Sequence, residues 1–324
     1  MNICVRAMEL YGRKQPFALI ILPGQDGRLY DFTSMEDGTL EFGNVRIASW
    51  KYDAPAGQYT EESFVSTEKE IYLETVTALK ESFVENTHKT VLVRKIAGSV
   101  PEDFHNPITF GQRLETYFSK MPGVLRFMFY TPESGLWLGS TPELLMECEK
   151  GGMIRTQALA GTRPAAMAGK EWDSKNIREH NIVVDDMKRR LEKYWTIEAS
   201  APATLSYGPV EHLCTRLQVL AGMEETDRAI ELVHPTPAIC GFPVEAALNN
   251  IRRFERFPRE YYTGIINVKE LERHTAYVVL RCAHVQAGMY EIFSGSGIIG
   301  SSDPTDEWNE TQAKALPLIE LFSE

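Results

Sequence analysis

Apolar residues along this chain follow two periods, and the switches between them divide it into elements. Phe17-Ala18-Leu19-Ile20-Ile21-Leu22 and Val45-Arg46-Ile47-Ala48-Ser49-Trp50 are short apolar runs cut by glycine-rich turns, so the chain through about residue 60 reads as strands and hairpins. From 67 to 84 the apolar positions Ile71, Leu73, Val76, Leu79 and Phe83 fall near the helical repeat and predict a helix, with Ser66 or Thr67 as its cap. β-Branched and aromatic runs at 90–93, 125–130, 136–138 and 153–155 predict strands. A helix over 175–195 follows from Ile182, Val183, Met187, Leu191 and Tyr194, and shorter helical patterns occupy 211–221 and 244–253. Strands return at 262–268, 275–283 and 289–293, and 304–322 closes the chain as a helix.

No proline- or serine-rich linker interrupts this order, so one α+β domain over residues 1–324 is expected, with 1–65 as its variable, β-rich N-terminal part. Composition agrees: 43% hydrophobic and 24% charged residues are ordinary for a globular protein, and no 20-residue apolar span or repeat is present. The N-terminus lacks the basic, apolar and small-residue regions of a secretory signal, which predicts a cytoplasmic protein. Five scattered cysteines without a C-x-x-C pair argue against a disulfide framework or a structural zinc site. A net charge of −11 disfavours nucleic acid and anionic membranes as partners. An anionic substrate must therefore meet a local group of cations.

Asp303-Pro304 offers an N-cap acceptor and a proline at the first helical position, which fixes the phase of the last helix. Glu307, Glu310 and Lys314 then share one face. Taken alone, such a face is more often a solvated one with an ion pair. Glu179 projects near the buried stripe of the 175–195 helix; if the two helices meet, Glu179, Glu307 and Glu310 offer hard oxygen ligands for Mg2+. Ser294-Gly295-Ser296-Gly297 and Ala160-Gly161-Thr162-Arg163 are either tight turns or places where backbone amides approach an anion. The proline-stiffened segment from His234 to Pro243 reads as a positioning device.

Taken in order, these segments resemble the chorismate-utilising enzymes, which include isochorismate, salicylate, anthranilate and aminodeoxychorismate synthases. The resemblance covers roughly residues 65 to 322. It rests on Lys89-Thr90-Val91-Leu92-Val93-Arg94, Ser140-Thr141-Pro142-Glu143-Leu144-Leu145, Ala158-Leu159-Ala160-Gly161-Thr162-Arg163, Arg178-Glu179-His180, His234 to Pro243, Arg259-Glu260-Tyr261-Tyr262-Thr263-Gly264, Leu280-Arg281-Cys282-Ala283, Gly295-Ser296-Gly297-Ile298 and Glu307-Trp308-Asn309-Glu310. It implies two large packed antiparallel β-sheets with helices outside and a cleft for chorismate. It also implies Mg2+ held by Glu179 and Glu310, with Glu307 on its waters or in its shell. The enolpyruvyl carboxylate is expected at Arg281, Tyr262 and the Gly295 region, and the ring carboxylate near Lys314, Gly161 and Thr162. His212 aligns with a histidine near the ring.

The implied chemistry adds water at C2 of the ring while the C4 hydroxyl leaves. Lys89 matches the base, which must shed its proton to activate water. Glu143 matches the acid, which must stay protonated for the leaving oxygen. Ala160 stands where aminodeoxychorismate synthases resemble one another in a nucleophilic lysine, and Lys89 stands where anthranilate synthases usually lack one, so water is the expected nucleophile. Ala238, where salicylate synthases resemble the lyases in carrying threonine, is the isochorismate-synthase pattern. The expectation is a Mg2+-dependent isochorismate synthase serving menaquinone or siderophore synthesis, with no obligatory protein partner. A pyruvate-releasing salicylate synthase is the alternative.

Overall fold

The computed structural model describes residues 2–52, 63–84, 88–121 and 123–323. Its first third contains α1 (Ile3–Gly12), β1 (Phe17–Ile21), β2 (Arg28–Asp31), β3 (Ser34–Glu36), β4 (Thr39–Phe42), β5 (Val45–Ala48), α2 (Lys69–Glu81), β6 (Lys89–Ser99) and α3 (Pro107–Ser119). The middle third contains β7 (Leu125–Thr131), β8 (Gly135–Thr141), β9 (Leu144–Glu149), β10 (Ile154–Pro164), α4 (Ser174–Leu191), β11 (Ile197–Ala199), β12 (Ala203–Tyr207) and β13 (Val210–Val219). The last third contains α5 (Thr226–Val233), β14 (Gly241–Phe242), α6 (Val244–Phe254), β15 (Ile265–Lys269), β16 (Arg273–Val278), β17 (Cys282–Gln286), β18 (Met289–Ile299) and α7 (Pro304–Phe322).

The strands form an eight-stranded sheet, β14-β6-β18-β17-β8-β7-β1-β2, and a ten-stranded one, β11-β13-β10-β9-β16-β15-β5-β4-β3 with β12 also on β13. The α+β expectation of two large antiparallel sheets with outer helices holds. Ala18, Phe127, Phe129, Trp137 and Phe293 of the first sheet meet Leu40, Ile47, Ile266, Val268 and Tyr277 of the second in one buried cluster. The outer face of the first sheet is covered by α1, α3 and α7, that of the second by α4, α5 and α6. Apolar side chains on both faces of the central strands explain why their sequences lack clean alternation.

Several expectations need correction. The N-terminal part begins with a helix: Asn2 Oδ1 accepts from the Cys4 and Val5 amides, and Cys4, Val5, Ala7 and Met8 pack inward at helical spacing. This helix docks on α3 at Gly111, where a Cβ would lie 2.8 Å from Val5 Cα. Residues 211–221 are strand, not helix. β13 is buried along nearly its whole length, so Leu213 and Leu217 mimic a helical stripe while the ladders to β10, β11 and β12 decide the outcome. Finally, Ser66 and Thr67 do not cap α2, whose N-cap is Glu68; their hydroxyls accept from the Ala97 and Lys95 amides along the edge of β6. The helices α3 and α5 carried no sequence expectation.

Two of the chain's passages from one sheet to the other carry residues of the site. β8 belongs to the first sheet and β9 to the second, with Pro142-Glu143 between them; β16 belongs to the second and β17 to the first, with Val279-Leu280-Arg281 between them. The expected strand at 275–283 is thus two strands, broken where Arg281 takes a φ of 46°.

Candidate active site

The two crossings place Glu143 and Arg281 at the same end of the molecule, and β10, β13, β18, α4 and α7 close around them. A cavity of about 70 Å3 results, lined by Glu143, Gly161, Thr162, Glu179, His212, Ala238, Tyr262, Arg281, Gly295 and Lys314 among others. An adjoining cavity of about 490 Å3 shares Thr162 and is lined by Lys175, Glu307 and Glu310. A larger space of about 540 Å3 lies between α2 and residues 254–260, but its buried Lys95–Glu291 pair is already satisfied at 2.7 Å, and converging polar groups belong to the smaller cavity.

Neither glycine string is a tight turn. Gly295 and Gly297 lie inside β18, opposite Val93 and Val91 of β6. A Cβ on Gly297 would sit 2.0 Å from Glu179 Oε1 and 2.8 Å from Lys89 Cε, so glycine lets a carboxylate and an ammonium press against the strand. Gly161 occupies a bulge of β10 at φ +76°, where a Cβ would meet Asn176 O at 2.8 Å. Beside it the Thr162 amide donates to Asn176 Oδ1 at 2.9 Å, and Asn176 is tied to the N-cap Asp173, so the bulge and the start of α4 are pinned together.

Glu143 is held by its backbone: its amide donates to Thr141 Oγ1 at 3.2 Å and its carbonyl accepts from Val278 N at 3.0 Å. Burial pushes its carboxyl up to about 8, against the opposing pull of Lys89, Arg281 and Lys314. It therefore keeps its proton at neutral pH. Lys89, 1% exposed, is not at the cavity wall but directly behind it, with Nζ 3.0 Å from Glu179 Oε1. Arg281 donates through Nη1 to Tyr207 O at 3.1 Å and through Nη2 to His212 Nε2 at 2.6 Å. That bond fixes Nε2 as acceptor, which leaves the proton on Nδ1, 3.1 Å from Thr162 Oγ1. Burial and the Arg281 and Lys314 charges hold His212 well below the ordinary histidine range, hence neutral.

A lysine joins two of the three glutamates, and a second lysine holds the third. Lys175 Nζ lies 3.3 Å from Glu179 Oε2 and 2.9 Å from Glu307 Oε1, and Lys314 Nζ lies 2.7 Å from Glu310 Oε1 and 3.0 Å from Gly295 O. Burial would raise Glu179, but Lys89 and Lys175 outweigh it and hold the carboxylate low. Burial raises Glu307, and neighbouring Glu310 and Glu179 add to this against Lys175. Among the described residues no three acidic, histidine or cysteine side chains already form a cage for an ion. The donor set nonetheless fits a small hard dication: Glu179 and Glu307 face each other across Lys175 at the junction of α4 and α7, Glu307 and Glu310 line one cavity, and among the described residues the buried Glu307 Oε2 has no hydrogen-bond partner. Lys175 and Asn176 were not foreseen. Lys175 was legible as an i, i+4 partner of Glu179, whereas Asn176 gave no signal outside the fold.

Among the described residues no helix is long and apolar enough to cross a membrane. The family model for "Chorismate binding enzyme" matches residues 45–323. The vibriobactin-specific isochorismate synthase of Vibrio cholerae is 32% identical over 197 residues, which are 56% of this chain and 49% of that protein. The isochorismate synthase MenF of Escherichia coli is 28% identical over 311 residues, 88% of this chain and 71% of that protein. This chain thus spans about half the length of the Vibrio relative, and 49% of the Haemophilus influenzae MenF as well. Among solved structures, the menaquinone-specific isochorismate synthase MenF from Escherichia coli superposes with a TM-score of 0.76 at 20% identity, covering 98% of this chain and 91% of that one. Anthranilate synthase component I from Streptococcus pneumoniae gives 0.61 at 18% identity over 78% of this chain and 59% of that one. Both likenesses establish the fold. With the family match spanning most of its length, the chain belongs to the chorismate-binding enzymes.

Proposed function

We propose that this chain is an isochorismate synthase that converts chorismate to isochorismate with the help of Mg2+. The observation that carries the reading is Glu143, buried and holding its proton, in one site with an equally buried Lys89. Several relatives named isochorismate synthases support it.

In this reading Arg281 and Tyr262 hold the enolpyruvyl carboxylate beside Gly295, and Gly161, Thr162 and Lys314 receive the ring carboxylate. Arg281 enters with its guanidinium already oriented by Tyr207 O and His212. Lys89 takes a proton from water as the oxygen bonds to C2. The ring double bonds shift, the C4–O bond breaks, and Glu143 delivers its proton to the departing hydroxyl, so one water enters and one leaves. Glu179, Glu307 and Glu310 would hold the Mg2+, which when bound neutralises the ring carboxylate and makes the ring a better electron acceptor. Ala160 leaves no amine to compete with water, and Ala238 in the cavity wall favours retention of the enolpyruvyl group over its release.

The test is chromatographic identification of the product formed from chorismate, with and without Mg2+, alongside a coupled pyruvate assay. Isochorismate without pyruvate is expected. Stoichiometric pyruvate would make the chain a salicylate synthase, and no turnover by the isolated chain would make it a binding subunit that depends on a partner.

A further inference from the structure

Arg94 closes the motif that begins with Lys89, yet the proposed chemistry does not use it. The two residues are five apart on β6, so they leave opposite faces of the strand: Lys89 turns toward the site and Arg94 toward the helices behind it. Arg94 is 2% exposed, and among the described residues no carboxylate forms an ion pair with it. Burying a guanidinium without an anion is costly, and an apolar side chain of similar length would fill the space at less expense. Something must therefore offset the retention of the charge.

Its three partners indicate what. Nε donates to Thr311 Oγ1 at 2.6 Å, Nη2 donates to Gln312 Oε1, and the guanidinium lies over the Trp308 ring at 3.9 Å. All three belong to α7. Thr311 is further gripped by Ser294, whose hydroxyl donates to Thr311 O at 2.8 Å, and Ser294 pairs with Arg94 across the ladder. Positions 308, 311 and 312 lie roughly 120° around the helix from Glu307, Glu310 and Lys314. A planar fork with two directional donors and a stacking face resists both rotation and sliding of the helix, which a round ammonium or an alkyl chain does not.

We propose that Arg94 is a positioning residue for the cation site: it locks the rotation and height of α7 so that Glu307 and Glu310 meet Glu179 across the α4–α7 junction. This rests on the reading of those glutamates as the cation's holders. β6 then carries the base on one face and the anchor of the cation-holding helix on the other.

Mn2+, as a spectroscopic stand-in for Mg2+, is titrated into the full chain and free ion is read by electron paramagnetic resonance, with a thermal melt run on every variant. Arg94→Met is expected to raise the Mn2+ Kd by about 10- to 100-fold, the range found when outer partners of ligands are removed. Chorismate KM at saturating Mg2+ should change little. Gln312→Leu, at an exposed position that leaves the core intact, should raise the Kd in the same direction by less, with an unchanged melt. Arg94→Lys should remain weakened, because charge alone does not restore the fork. Native Mn2+ affinity in both Arg94→Met and Gln312→Leu would overturn the proposal, as would full recovery in Arg94→Lys; should Arg94→Met fail to fold, Gln312→Leu decides. Failure of the cation reading shows separately, as wild-type and Glu310→Gln proteins that bind Mn2+ equally poorly, and it would overturn both.

Discussion

Glu143 and Lys89 are both buried, at 4% and 1% exposure. Around Glu143 desolvation wins and holds the carboxyl at about 8, from an ordinary value of 4.5. Its proton is therefore bound in the fold and absent from the unfolded chain between those values. The stabilisation from this group is complete below pH 4.5 and is lost as pH climbs through about 8. Two outcomes are expected for Glu143→Gln: kcat falls by roughly 100-fold or more, and the alkaline fall in kcat/KM centred near 8 disappears. A pH–rate profile and melts at pH 6 and 9 check them, with the variant holding its stability better than wild type at the higher pH. Lys89→Ala should likewise lower kcat by about 100-fold or more while leaving chorismate binding nearly unchanged, which steady-state kinetics with equilibrium titration will show. These residues were legible only through the short strings around them. Nothing in hydrophobic periodicity distinguishes Lys89 from a surface lysine ahead of a strand, because its burial is set by Glu179 and Gly297 from distant elements.

At the scale of elements, β18 and α4 approach more closely than any side chain but glycine permits. Gly297→Ala would drive a Cβ into Glu179 Oε1 and Lys89 Cε. Displacing both groups by even about 1 Å is expected to cost 100-fold in kcat/KM, whereas the melt should reflect only the 1–3 kcal/mol typical of overpacking, about a few degrees. Near-native turnover in this variant would contradict the packing described for β18. The closing helix was the most legible element: Asp303 caps it as expected, accepting from the Thr305 and Asp306 amides at 2.9 and 3.1 Å. The helical reading of 211–221 failed for an identifiable reason, since β13 is flanked by β10 on one edge and by β11 and β12 on the other and is buried on both faces. His212 reaches Thr162 because it lies opposite that residue in the β10–β13 ladder.

For the whole molecule, the two sheets share one aromatic core, in which Trp137 is fully buried and stacks on His284, Phe293 and Phe129. Neither sheet covers its inner face without the other, so we propose one domain that unfolds as a unit. Urea unfolding followed by far-ultraviolet circular dichroism and by tryptophan fluorescence should give coincident single transitions; two separated midpoints would mean two domains. Local chemistry along the chain was enough to determine a capped helix bearing Glu307, Glu310 and Lys314 on one face, and strand-forming runs such as 125–130, because capping and side-chain branching act within a few residues. Only the tertiary structure decided that α4 and α7 meet, that the glycine strings lie in strands, and that Glu143 and Arg281 stand at neighbouring crossings between the sheets. Those outcomes depend on ladder register and on burial from both sides, which are properties of pairs of segments far apart in sequence.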